Sequence, residues 1–146
     1  MQHVAIALLL FASSAGASEL VSLDANEGPV ENGKALKMEF REVERKGDES
    51  AIRVVFHSGG SVSSSMFVMK GSCAIAKSRG AKFFRNVAES EGSGGEWNYA
   101  VAFAQTPNAP ALKIPSPPKP ASEDEDEASA NGVFSFSECQ MLGFGL

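Results

Sequence analysis

Ser61-Val62-Ser63-Ser64-Ser65-Met66-Phe67-Val68-Met69-Lys70-Gly71-Ser72-Cys73-Ala74-Ile75-Ala76-Lys77-Ser78-Arg79-Gly80 is the stretch in which the chain changes period. Val62, Met66, Met69, Cys73 and Ala76 recur every three or four residues, which predicts a helix over about 62–79 with one apolar stripe. Ser61 and Ser63 are candidate N-caps. Lys77 and Arg79 place cations in the last turn, where the helix dipole favours them, and Gly80 can take the left-handed position that ends a helix. Phe67, Val68 and Ile75 fall off the stripe, so the helix is expected to be covered on more than one side.

On either side the period falls to two. Upstream, Leu36, Met38 and Phe40 alternate with Lys37, Glu39 and Arg41, and Ile52, Val54 and Phe56 alternate with Arg53, Val55 and His57. A turn at Lys46-Gly47-Asp48-Glu49 makes these an antiparallel pair. Downstream, Lys82–Val87 and Glu96–Ala104 flank the loop Glu91-Gly92-Ser93-Gly94-Gly95 and read as a second hairpin. Trp97, Tyr99, Val101 and Phe103 share one face of its second strand, expected to lie against the helix. Ser18 to Val30, with Leu20, Val21 and Leu23, reads as a short strand or an arm. The prediction is therefore an α+β domain over 18–104, with four to five antiparallel strands packed on one principal helix.

The ends read differently. Val4 to Ala12 is an unbroken apolar run followed by Ser13-Ser14 and the small-x-small site Ala15-Gly16-Ala17, so residues 1–17 read as a signal peptide cleaved before Ser18. Met1-Gln2-His3 lacks the Lys or Arg of a usual n-region. The run is shorter than the roughly 20 residues of a membrane span, so no transmembrane span is expected after cleavage. Six of the seven prolines lie between Pro107 and Pro120, and Glu123-Asp124-Glu125-Asp126-Glu127 follows, so 105–132 reads as a Pro-rich and acidic linker or loop. Residues 133–146 are apolar again and hold Cys139. That segment either adds a strand or forms a helical turn capped by Ser137 and stopped at Gly143.

The net charge of −5 comes from 13 basic and 18 acidic residues, and the acidic run accounts for the imbalance. The folded body should be near neutral, with no basic face for nucleic acid. Cys73 and Cys139 are the two cysteines of a chain expected in an oxidising compartment, which predicts a disulfide. Cys73 lies mid-stripe, so pairing it with Cys139 would bring 133–146 back onto the domain.

The polar cluster that invites a function is His57-Ser58-Gly59-Gly60-Ser61-Val62-Ser63, a strand-to-helix turn. His57, Gly59, Gly60, Ser61 and Ser63 could hold an anion or ligand at the helix N-terminus. Neither the phosphate-loop spacing nor the G-x-S-x-G elbow is present, so the cluster reads first as a serine-rich cap and turn. With His3 in the leader, His57 is the one histidine left for a base. A hydrolase pairing it with Ser61, Ser63, Ser64 or Ser65 and with Asp24 or Glu89 is the alternative, and no metal site or cofactor is indicated. The acidic run lacks the ligand spacing of a calcium loop, and Trp97, Tyr99 and Phe103 read as core before they read as a carbohydrate or peptide platform.

The stretch Met66 to Phe84, a helix of small and apolar residues ending in Arg79-Gly80 and running into Lys82-Phe83-Phe84, resembles small exported bacterial proteins of unknown function, many of them lipoproteins with one helix on an antiparallel sheet. The chain departs from the lipoproteins in having no cysteine at the cleavage site. The resemblance implies the architecture and no substrate. Together these readings predict an exported, periplasmic or secreted, non-catalytic binding or accessory protein whose partner is another envelope or secreted protein.

Overall fold

The computed structural model describes residues 18–26, 28–114 and 132–144. The leader and most of the linker, its acidic run included, lie outside the described residues. The strands are β1 (Ser22–Ala25), β2 (Val30–Glu31), β3 (Lys34–Ala35), β4 (Lys37–Lys46), β5 (Glu49–Ser58), β6 (Phe83–Glu91), β7 (Trp97–Ala104) and β8 (Val133–Ser135). The helices are α1 (Ser61–Arg79) and α2 (Phe136–Met141), with a 3-10 turn at Pro110–Leu112. Six strands form one antiparallel sheet in the order β1-β4-β5-β7-β6-β8, and β2 and β3 form a separate hairpin.

The α+β class holds, but the sheet is wider than the four to five strands expected. The additional strands come from the segments with the weakest patterns. The arm supplies β1, which pairs with β4, and the C-terminal segment supplies β8, which pairs with β6. Chain 59–82 carries α1 across the sheet, because β6 pairs not with β5 but with β7, which lies between them.

The helix ends fall where expected at one end only. Gly80 is left-handed with φ 64° and its N–H returns to Ala76 and Lys77 carbonyls. At the other end Gly60 is the N-cap and no side chain of Ser61 or Ser63 caps the helix. The expected stripe also shifts. Cys73, Ile75 and Ala76 are fully buried, but Val62 and Met66 are exposed, because α1 meets the sheet along its C-terminal half. Gly71 makes that approach possible: a Cβ there would lie 2.5 Å from the Phe40 ring, which is itself fully buried on β4.

Cys73 and Cys139 are joined, with Cα atoms 5.9 Å apart. The C-terminal segment forms both a strand and a helix, and the cap is Ser135 rather than Ser137. Ser135 Oγ accepts from the Glu138 N–H while the Glu138 carboxylate accepts from the Ser135 N–H, a reciprocal capping box. The folded body also runs past residue 104. Leu112 is buried on the sheet face away from α1, and Arg85 Nη1 donates to its carbonyl at 3.2 Å.

One buried carboxylate interrupts the apolar inner face. Glu42 follows Leu36, Met38 and Phe40 in the inward alternation of β4 and is 4% exposed. It accepts from Arg45 Nε at 2.8 Å, Ser50 Oγ at 2.6 Å and the Val21 N–H at 3.0 Å. Ser50 Oγ in turn accepts from Arg79 at the end of α1, whose guanidinium also donates to the Gly47 and Glu49 carbonyls. Burial pushes the Glu42 carboxyl up, but the bonds from Arg45, Ser50 and Val21 more than offset it and leave it below its ordinary value.

Three outcomes follow from these contacts. Gly71→Ala gains about 1 kcal/mol of helix propensity but drives a methyl into a buried ring, an overpacking cost of roughly 1–3 kcal/mol. A lowered denaturation midpoint in urea is expected, and an unchanged or raised midpoint would show that Phe40 yields. Removing the disulfide with Cys73→Ala and Cys139→Ala frees a loop of sequence separation 66, worth about 4 kcal/mol in the loop-entropy model. Hydrogen exchange should rise first in 133–144; uniform acceleration across the sheet would contradict the clip. Because the folded pKa of Glu42 lies below its unfolded value of about 4.3, its stabilisation is complete above that value and is lost as pH falls through the folded one. Glu138, lowered by its bonds to Ser135, acts in the same sense. Glu42→Gln should cost roughly 2 kcal/mol, since Arg45 stays partly solvated, and flatten the fall of Tm below about pH 4.3; an unaltered acid slope would place the transition elsewhere.

Candidate functional site

Because α1 touches the sheet along its C-terminal half, space opens beside its N-terminal half. A cleft of about 310 Å³ lies between α1 and the concave face of β4, β5, β7, β6 and β8. Its sheet side is apolar, with Met38, Val54, Phe56, Trp97, Tyr99 and Phe134 as its larger walls. Trp97 and Phe56 are 40% and 45% exposed. The aromatic face of β7 therefore divides: Phe103 is core, as expected, whereas Tyr99 and Trp97 line an accessible cavity.

The helix side is mixed, with Val68 and Met69 beside three small polar residues. Ser64, Ser65 and Ser72 face the cleft, and each turns its hydroxyl back onto a helix carbonyl, those of Ser61, Ser61 and Val68. The residues left to meet a ligand's polar atoms are Asn86 and Tyr99. Neither side chain has a hydrogen-bond partner among the described residues, and both line the cavity. Burial raises the Tyr99 phenol above its ordinary value, and the nearby Glu89 carboxylate raises it further.

The turn singled out in the sequence is arranged otherwise. Gly59 is at φ 132°, and a side chain there would strike Leu36. The Ser63 N–H at the head of α1 donates to Glu31 Oε2 at 3.1 Å, and Gly60 leaves the room that the Glu31 carboxylate occupies. The anion at this helix N-terminus is thus the protein's own side chain, brought by the β2–β3 hairpin. That hairpin turns at Asn32-Gly33, both with positive φ. Asn-Gly between short strands is the sequence signal that would have placed Glu31.

His57 points to the outer face, where Nε2 lies 3.0 Å from Glu39 Oε1. The hydroxyls of Ser63, Ser64 and Ser65 go to backbone carbonyls, Asp24 bonds Arg41, and Glu89 pairs across the sheet with Tyr99. Among the described residues none of the candidate serines bonds His57, so the arrangement a hydrolase requires is not assembled. Among them, too, no group of three or more His, Cys, Asp or Glu side chains is placed to hold a metal, and no helix is long and apolar enough to cross a membrane.

A second, wider groove of about 760 Å³ flanks the other side of α1, between Asp24, Pro29 and Glu31 and the side chains of Val62, Met66 and Phe144. It is more open than the cleft and has fewer aromatic walls. Compared with known proteins, the chain matches no family model, no curated protein and no solved structure.

Proposed function

We propose that this chain is an exported binding or accessory protein, without catalysis of its own, that holds a small apolar ligand in the cleft between α1 and the sheet. The observation that carries the reading is the cleft itself. Its volume falls at the lower end of small-molecule sites, and like them it is mostly apolar with a few placed polar groups. A buried disulfide is what an oxidising compartment permits, and it supports the export expected from residues 1–17. The likeness to small exported proteins remains part of this proposal, as does cleavage before Ser18.

Each methylene moved from water into such a cavity contributes about 0.8 kcal/mol before the cost of association. A ligand that fills this one should bind with a Kd on the order of 10 μM. Trp97 is the single tryptophan of the chain and lines the cleft, so its emission reports occupancy. Titration with the neutral probe N-phenyl-1-naphthylamine should give saturable quenching of Trp97. Ser65→Phe, which fills the helix side, should weaken probe binding at least tenfold without altering far-UV circular dichroism. A folded wild-type protein that shows no saturable signal, or binding untouched by Ser65→Phe, would end this reading.

A further inference from the structure

Among the described residues, none that lines the cleft carries a formal charge, so these walls select for apolar matter without choosing a head group. Charge enters at one end. Strand β6 begins with Phe84 and Asn86 on the concave side, opposite Phe103 and Val101, and its register then slips between Asn86 and Ala88. Continued without interruption, the alternation would turn Ala88 and Ser90 to the concave side. The bulge inserts Val87 and reverses it, so that Glu89 stands opposite Tyr99 and Glu91 opposite Trp97.

Directly opposed residues of an antiparallel pair project from the same face, and Tyr99 and Trp97 both line the cleft. The two carboxylates therefore project from the cleft's side of the sheet next to its aromatic end, just outside the residues that line it. Glu89 stands near enough to Tyr99 for its charge to add to the effect of burial in raising the phenol above its ordinary value. Elsewhere on the sheet, Asp24 and Glu39 are paired with Arg41, and Glu42 with Arg45. Among the described residues Glu89 and Glu91 have no ion-pair partner, and no cation lines the cleft. Two carboxylates beside an accessible tryptophan and a tyrosine form the environment in which an organic cation is held, by ion pairing at its edge and by the ring faces beneath it.

We propose that the ligand of this cleft is a cationic amphiphile, its apolar body lying between α1 and the sheet and its ammonium group at Glu89 and Glu91 over Trp97 and Tyr99. The proposal rests on the binding reading above and adds the sign of the head group. It also gives the β6 bulge a role, since the bulge is what turns the two acids toward the aromatic mouth.

Calorimetric titration of the full chain with decyltrimethylammonium, decyl glucoside and decyl sulfate, each below its micellar concentration, separates the two readings. The ammonium should bind about tenfold more tightly than the glucoside, and the sulfate more weakly than either. Added salt should narrow the ammonium's lead. Glu89→Gln with Glu91→Gln should remove that lead while leaving the glucoside affinity as it was, and Glu89→Lys with Glu91→Lys should transfer the preference to the sulfate. Equal affinities for the three heads, or a lead that survives the double glutamine variant, would overturn the cationic assignment while leaving an apolar site standing. Failure of all three to bind the folded protein would remove the apolar site, and this assignment with it.

Discussion

The contact between Phe40 and Gly71 sets the distance at which the helix rides on the sheet. Phe40 is fully buried on β4, and its ring occupies the place a side chain at residue 71 would need. Close approach at that point brings Cys73, Ile75 and Ala76 into the core and puts Cys73 within reach of Cys139. It also brings Arg79 to the β4–β5 turn, where it binds two backbone carbonyls. The fully buried apolar side chains of α1 and its bonds to the β4–β5 turn thus lie in one half of the helix, with Phe67, Val68 and Met69 packing less deeply before it. The other half is held at its tip by Glu31 and is flanked by open space on both sides.

The polar cluster around Glu42 shows why an ion can sit in so small a core. Desolvation of a carboxylate costs several kcal/mol and is compensated only where its lone pairs are met in good geometry. Here a bidentate guanidinium, a hydroxyl and a backbone N–H meet them. Ser50 passes the connection to Arg79, so the same cluster joins Val21, just ahead of β1, to the β4–β5 hairpin and the end of α1. The result is directional in a way apolar packing is not: the register of β4 against β5 and the depth of the helix are fixed by one set of bonds.

What could be read from the sequence was what is local. The two hairpins, the span of α1 and its left-handed stop at Gly80 follow from alternation and end signals within a few residues, and the disulfide follows from an even pair of cysteines in a chain whose first residues read as an export signal. Glu42 was legible in principle, since it continues the parity of Leu36, Met38 and Phe40, but a charge in that series reads first as the end of the buried face. Gly71 reads as a weak point in a helix until the opposing ring is known. Val87 could not be read as a bulge, because a one-residue slip leaves composition and alternation almost unchanged while reversing which residues face inward. The meeting of Glu31 with Ser63 spans 32 residues, and no local pattern encodes it.

The cleft lay beyond sequence reading because it is a property of spacing, yet three residues show how the spacing is kept. Ser64, Ser65 and Ser72 occupy the helix positions that face Trp97, Phe56 and their neighbours. Leucine at those positions would extend toward the aromatic wall and remove apolar surface from water, at a gain of roughly 2 kcal/mol for each side chain fully buried. Serine forgoes that gain and also lowers helix propensity. Each hydroxyl is turned back on its own helix, so it neither fills the cavity nor bonds across it. A wall of half-exposed aromatics opposed in part by the smallest polar side chains keeps this space open at a cost in stability, and the proposed occupant would offset that cost by supplying the missing apolar contact.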